Sequence, residues 1–389
     1  MPVKNRFAQT HADITAWRHH LHTIPELQYD VHRTVAFVEE KLRSFGIENI
    51  TTGVGQTGLV AVIEGAQDTQ GRVIGLRADM DALPIHEQTG LEYASKTPGA
   101  MHACGHDGHT AMLLGAAQYL AETRNFDGRV VLIFQPAEEG GAGGRAMCED
   151  GLMARWGIQE VYGMHNMPGY PTGQFAIRPG AIMAAADELE ITITGRGGHA
   201  AAPHEAVDPN LAAAHVLIAL QSIASRSVDP LAHVVVSLCA VHSDTEAHNV
   251  IPQVTRMKGT MRTLDQQVRA LVMDKVRLIA RASAEALGCH AEVIIREGYP
   301  VTVNEQTHTE HAIKAARAVA SQVDVDLPPI MAAEDFAFML LERPGAYIMI
   351  GNGDGATVHH PEYQFDDDAI PAGCSWFAEI AEQRMPVNS

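Results

Sequence analysis

No stretch of the 389-residue chain reaches the run of about 18 apolar residues that spans a bilayer, so the sequence offers no membrane segment. Positive charge is scarce. The 28 Lys and Arg stand against 47 Asp and Glu, and the formal net charge of -19 argues against nucleic acid or an anionic membrane as partner. Cysteine is sparse too: Cys104, Cys148, Cys239, Cys289 and Cys374 are odd in number and far apart, which suits a reducing cytoplasm rather than a disulfide framework. Four of the five read as small core residues, and only Cys104 stands among ligand-type neighbours. The first ten residues, Met1 to Thr10, have no apolar core and do not read as a signal peptide. Repeats, low-complexity runs and charged tails are absent. What remains, 46% hydrophobic and 19% charged, describes an ordinary globular chain long enough for two or three domains.

Histidine, in contrast, is plentiful at 21 residues. The segment Met101-His-Ala-Cys-Gly-His-Asp-Gly-His109 packs one cysteine, three histidines and an aspartate into nine residues. The following Thr110 to Leu120 reads as a buried helix, which would place Cys104-Gly105-His106 at a helix N-terminus. Free N–H groups and the positive dipole end there favour a thiolate. A thiolate and an imidazole two residues apart suit a borderline transition metal.

Candidate partners follow a recurring pattern. Val73–Ala78 is a short apolar run that delivers Asp79-Met80-Asp81, and Arg129–Phe134 is another, ending in Gln135-Pro-Ala-Glu-Glu-Gly140. Val161–Met164 leads into His165, and Ala346–Ile350 leads through a glycine-rich loop into His359-His360-Pro361. Helix-type stretches separate these runs, so the strands are expected to be mostly parallel, with helices on both faces. Ligands bind beyond the carboxyl ends of such strands, which is where each candidate lies. Helices are expected over residues 11–23, with His19, His20 and His22 as surface or packing residues, and over 34–45.

The texture changes near residue 187. Asp187–Gly195 alternates polar and apolar residues as a half-wet antiparallel strand does. Helices over 209–225 and 264–287, with further strands at 233–238, 255–262 and 291–297, make a small α+β domain. Strand-plus-ligand segments resume near Met331 and His359. The expectation is an α/β protein: a mostly parallel-sheet catalytic domain, residues 1–186 and 298–389, with an inserted α+β domain, residues 187–297.

A pair of metal ions needs a bridging anion and several terminal ligands. Cys104 offers a thiolate, His106, His165 and His359 offer imidazoles, and one of Glu138 and Glu139 a carboxylate. Adjacent side chains on near-extended backbone diverge, so one glutamate can bind metal while the other faces a metal-held water as its base.

The motifs Arg77-Ala-Asp-Met-Asp-Ala-Leu-Pro84, Met101–Asp107, Gln135–Gly140, Gly163-Met-His165, Gly195-Arg-Gly-Gly-His-Ala200 and His359-His-Pro-Glu-Tyr363, in this order, resemble the aminoacylase/carboxypeptidase metallohydrolases. The branch most resembled is that of hippurate hydrolases and indole-acetyl-amino-acid hydrolases. The resemblance covers nearly the whole chain and implies an inserted lid domain through which the protein forms a homodimer, a tetramer remaining open. By it, Cys104, His106, Glu139, His165 and His359 are the metal ligands, with His359 preferred over His360, and Glu138 is the general base. Asp81 would orient a ligand, His199 would reach a neighbouring subunit's site and stabilise the oxyanion, and Asn249 and Arg262 would hold a substrate carboxylate. Glu334-Asp335 matches a family acidic pair without a role. Glycine at 108, where the family often carries alanine, is expected to be harmless, and His360 and Glu362 are local variants beside the last ligand.

The implied reaction is hydrolysis of N-acyl amino acids, small-molecule amides, by a dinuclear enzyme holding two divalent ions (Mn or Zn, with Co or Ni admitted). Carboxypeptidase or dipeptidase hydrolysis on the same site is the alternative. Two rivals come from other classes. A cysteine hydrolase with Cys104 as nucleophile and His106 as base leaves Glu138, Glu139, His165 and His359 without work. A non-catalytic binding module on this scaffold would be favoured by a missing base, and Glu138 is present.

Overall fold

The computed structural model describes residues 4–387, so the ends of the N-terminal stretch and of the second catalytic-domain segment lie outside the described residues. The chain divides into two compact units, one of residues 1–182, 303–328 and 335–389, the other of residues 183–302 and 329–334.

The first unit is built on an eight-stranded sheet. Its order is Ile50–Val54, Gly58–Glu64, Arg129–Gln135, Val73–Asp79, Glu160–Met167, Gly345–Gly351, Phe175–Ala176, Val323–Asp324. The four strands from Arg129–Gln135 to Gly345–Gly351 are mutually parallel. Gly58–Glu64 runs antiparallel to both its neighbours, Ile50–Val54 and Arg129–Gln135, and Phe175–Ala176 runs antiparallel to Gly345–Gly351. Val73–Asp79 and Gly345–Gly351 are buried at every position, as strands covered on both faces must be. Register pairs Asp79 with Gln135 and His165 with Met349, so the carboxyl ends of the parallel strands open toward common ground.

Helix His106–Thr123 packs between Asn5–Thr23 and Ile370–Arg384. Gly115 permits this: a Cβ there would lie 2.7 Å from both Ile14 Cδ1 and Cys374 Sγ. The first helix begins at Asn5 rather than at 11, and its histidines are not alike. His22 is buried, with Nδ1 2.8 Å from Asp107 and Nε2 3.2 Å from Glu87, whereas His19 is half-buried against Asp367 and Tyr93.

The second unit is a four-stranded antiparallel sheet in the order Val234–Ser243, Val254–Thr263, Ala185–Thr194, His290–Tyr299. Helices Pro209–Leu220 and Gln266–Glu285 pack against it, their N-termini capped by the Asp208 and Asp265 carboxylates. Strand Ala185–Thr194 alternates strictly, with Leu189, Ile191 and Ile193 facing the helices' Val216, Leu220, Val272 and Val276. The helix expected to reach residue 225 ends at Leu220, and a π turn over Ile223–Ser227 follows.

Cys239 is not a core residue. A bulge between Leu238 and Ala240 leaves it unpaired on an edge strand, exposed. Gly108 fits closely against Phe365: a Cβ there would stand 2.3 Å from Phe365 Cε2, so a larger residue would require the ring to move.

Candidate metal centre

Most of the donors arrive from the end of a buried strand or the start of a buried helix, and His359 from a loop. Strand Val73–Asp79 continues into the loop that carries Asp81. Gly105 caps helix His106–Thr123 at φ +88, with Asn166 Nδ2 2.3 Å from where its Cβ would stand, so glycine is required and His106 becomes the first helical residue. Strand Arg129–Gln135 leads into a turn in which Ala137 has φ +55, followed by Glu138 and Glu139. His165 lies near the end of Glu160–Met167. His359, with φ +66, is pinned by its own N–H donating to Ala103 O at 2.7 Å.

These side chains converge within the first unit. Cys104 Sγ is 3.4 Å from His165 Nε2, His359 Nε2 is 3.1 Å from Glu139 Oε1, and His106 Nε2 is 4.0 Å from the same oxygen. Donor atoms of Cys104, His106 and His165 lie within 4.8 Å of one another, as do those of Cys104, Glu139 and His359, and those of His106, Glu138 and Glu139. Cys104 is common to the first two groups. His165 Nδ1–H donates to Asn166 O at 2.7 Å, which leaves its Nε2 lone pair free toward the thiol.

The cluster is suited to a cation. Neither ring nitrogen of buried His106 makes a well-formed hydrogen bond within the protein, a costly state for buried polar atoms that a metal ion would relieve. Carboxylates of Asp79, Asp81, Glu138 and Glu139 surround them. Burial opposes charge on His106, yet Asp79, Asp81 and Glu139 raise its pKa to about 10. Burial, followed by Glu139, Glu138 and Asp79, pushes the Cys104 thiol well above its ordinary range. Sulfur, imidazole and carboxylate donors together fit a borderline dication.

A second layer fixes the first. The Asp81 carboxylate accepts the backbone N–H of Glu138 and of Glu139, each at 3.0 Å, and lies 3.4 Å from His106 Nδ1. Asp79, a strand-end candidate to which the sequence assigns no role, lies 2.6 Å from His109 Nδ1 and 2.8 Å from Arg77 Nη1. His109 Nε2 accepts from Asn166 N–H at 3.0 Å, so both its nitrogens are committed and it is no ligand. Its spacing of three from His106 on one helix was the available signal. His102, buried with both nitrogens unpartnered, enters none of the donor groups.

Asp335 gains a place. Its carboxylate accepts from Arg77 Nη2 at 3.1 Å, Gln135 Nε2 at 2.7 Å and Gly144 N–H at 2.7 Å, and its own N–H donates to Glu138 Oε1 at 3.4 Å. Glu334 is buried in the second unit.

His199, Asn249 and Arg262 also belong to the second unit. His199 and Asn249 adjoin one another: His199 pairs with Val250 across a two-stranded ribbon, and Asn249 O accepts the Ala200 N–H at 3.0 Å. Arg262 lies apart from them in sequence, on strand Val254–Thr263, half-buried. Its Nη1 donates to Thr260 Oγ1 and to Met261 O, and among the described residues no carboxylate lies within ion-pair distance.

The sequence profile of Peptidase family M20/M25/M40 matches residues 75–383. The chain is 40% identical over 366 residues to a hippurate hydrolase of Campylobacter jejuni subsp. jejuni, covering 94% of each chain. It is 39% identical over 389 residues to thermostable carboxypeptidase 1 of Saccharolobus solfataricus, covering 97% of each. A crystal structure of a dinuclear metal binding peptidase of the M20 family from Bacillus subtilis superposes with a TM-score of 0.85 at 35% identity, covering 97% of this chain and 99% of that one.

Proposed function

The chain belongs to peptidase family M20/M25/M40, and from that membership together with the donor cluster we propose that it is a metal-dependent amidohydrolase that cleaves N-acyl amino acids into a carboxylic acid and a free amino acid. The observation that carries the reading is the convergence of Cys104, His106, Glu139, His165 and His359, with unpartnered buried donor atoms, beside a second carboxylate on Glu138. Those five residues would hold two divalent ions, Mn or Zn, with Co or Ni also compatible with the donor set. Bound there, the ions supply Lewis acidity toward a carbonyl and lower the pKa of a coordinated water toward about 7.

Glu138, held by Asp81 at its backbone N–H and by the Asp335 N–H at its carboxylate, takes the proton of the attacking water and returns it to the leaving amine. In His199 the Ala201 N–H donates to Nδ1 at 3.0 Å, so the proton sits on Nε2, an outward donor suited to an oxyanion. Arg262 offers its unpaired guanidinium edge, and Asn249 its amide, to the substrate carboxylate. In this scheme the substrate is a small free acid rather than an internal peptide bond.

The second unit, centred on residues 187–297, acts as the lid in this proposal, and the protein forms a homodimer through it. Support comes from the exposed large apolar side chains: nine, from Leu211 and Ile218 to Ile294, are in the second unit and two, Val303 and Leu341, in the first. Tetramers would extend the same surface. No helix among the described residues is long and apolar enough to cross a membrane. The five free cysteines are compatible with a cytoplasmic setting.

A panel of benzoyl-glycine, N-acetyl amino acids, indole-acetyl conjugates and dipeptides, assayed after chelation and again with Mn or Zn restored, tests the proposal. Amino-acid release that vanishes on chelation and returns with metal supports it. Preference for the dipeptides would instead favour the carboxypeptidase reading, which the Saccharolobus solfataricus relative motivates. Release that survives chelation but not thiol alkylation would point to Cys104 as a nucleophile.

A further inference from the structure

Among the described residues, six other than glycine have φ in the left-handed region: Gln28, Gln56, Arg124, Ala137, Ala142 and His359. Such backbone is uncommon and persists only where surrounding contacts over-determine it. Two of the six, Gln28 (φ +48) and Ala137 (φ +55), meet in one hydrogen-bonded knot beside the two glutamates, and a third, Ala142 (φ +55), ends the same turn.

The knot has two sets of ties. Asp81 grips the Glu138 and Glu139 amides, as described above. The other set comes from the loop after the first helix. The Ala137 N–H donates to Gln28 O at 3.1 Å, Gln28 Nε2 donates to Glu139 O at 3.3 Å, and the Tyr29 hydroxyl donates to Gly141 O at 2.7 Å. That loop is itself fastened. Leu27 bridges to Ala82, whose N–H donates to Glu26 O at 2.8 Å, beside the residue that supplies the other grip. The Glu26 carboxylate accepts from Thr34 N–H at 2.9 Å and from Arg33 N–H at 3.1 Å, locking the loop onto helix His32–Ser44.

We propose that the segment Glu26–Tyr29 is a clamp that sets the direction of the Glu138 carboxylate, with the Tyr29 hydroxyl and the Gln28 amide as positioning groups. The proposal rests on the reading of Glu138 as general base. Neither Gln28 nor Tyr29 is a core residue: Gln28 is exposed and Tyr29 half-buried. Their bonds all end on the backbone of the strained turn, at Ala137, Glu139 and Gly141, and so act on where Glu138 points. A misplaced base loses rate steeply, because proton transfer depends on reach and alignment.

Tyr29→Phe removes one bond and nothing else. The expected result is a kcat lower by about fivefold, the rate equivalent of one hydrogen bond, with KM, bound metal per chain and melting temperature unchanged. The same substitution on a Glu138→Asp background is expected to add little, because the base is already displaced. Equal factors on both backgrounds would mark a merely structural role and overturn the clamp, as would an unchanged kcat in Tyr29→Phe. Should Tyr29→Phe lower the melting temperature, Gln28→Gly gives the second measurement. It keeps the left-handed backbone without strain, loses only the amide, and must lower kcat at constant KM, or the proposal fails. Full activity in Glu138→Asp alone would instead sink the base assignment, a distinguishable outcome.

Discussion

In the first unit Arg77, Asp79, Asp81, His106, His109, Glu138 and Asp335 are all buried and linked in one chain of polar contacts, none longer than 3.4 Å. Buried charges in the second unit are fewer: Asp187 and Arg269, paired with Nε–Oδ2 3.0 Å, and Glu334. The backbone differs in the same sense. All six left-handed non-glycine residues lie in the first unit, four of them in the site segments, and none among the described residues of the second. Each such residue costs about 1–3 kcal/mol and each unmatched buried charge several more, so the first unit sacrifices stability for geometry at one place. The second unit is an ordinary helix-on-sheet core whose cost lies outside, in exposed Leu, Ile and Val. Buried charge is thus gathered in the first unit, and exposed apolar surface in the second.

The largest effect that can break this division is loss of the base. Glu138→Gln is expected to lower kcat by about 10²–10⁴-fold while metal content, read by elemental analysis, stays at the wild-type level. Substantial residual turnover would mean that the buried network serves binding only. Next is the contribution assigned to the second unit. Arg262→Met is expected to raise KM for N-acyl amino acids by about 10–100-fold with a smaller change in kcat, the loss of a charge-assisted hydrogen-bond pair. Substrates whose carboxylate is replaced by an amide should not distinguish variant from wild type. If they do, Arg262 acts through the fold instead.

The smallest effect concerns charges of the first unit at the opposite, amino-terminal end of strand Glu160–Met167. His308 Nε2 lies 3.3 Å from Glu160, its Nδ1 2.5 Å from Glu305, and Arg384 Nε donates to Glu160 at 3.0 Å. The hydrogen bond to Glu160 raises the His308 pKa against burial, with Glu305 adding to it. Because the folded state binds the proton more tightly, this contribution is full below the ordinary value of 6.5 and is lost as pH rises through the raised one. The melting temperature of wild type should exceed that of His308→Gln by a few degrees in mild acid, the gap closing as pH rises above neutrality. A gap independent of pH would assign His308 to packing. Catalysis by the variant should be unaffected, which is the point of the comparison.

Much was legible in the sequence because it depends on local pattern. Continuous apolar runs marked the buried parallel strands, alternation marked Ala185–Thr194, and the donor residues expected past strand ends are ones the structure brings together. Where the reading failed, the deciding contact came from elsewhere in the chain. Cys239 looked like a core residue until a bulge turned it outward. His22 could not be told from His19 without Asp107 and Glu87.

The sequence by itself determined the ingredients: which residues can bind a dication, which can move a proton, and that they follow strands whose carboxyl ends meet. Only the tertiary structure decided the division of labour among them. His109 and His106 share a helix face, yet Asp79 and Asn166 commit both nitrogens of one while those of the other are left unpartnered. Asp335 stands nearly two hundred positions from Glu138 and still sets its hydrogen bond. Composition and spacing record what a side chain can do. Burial and the partners brought by distant segments fix which of those capacities is already spent.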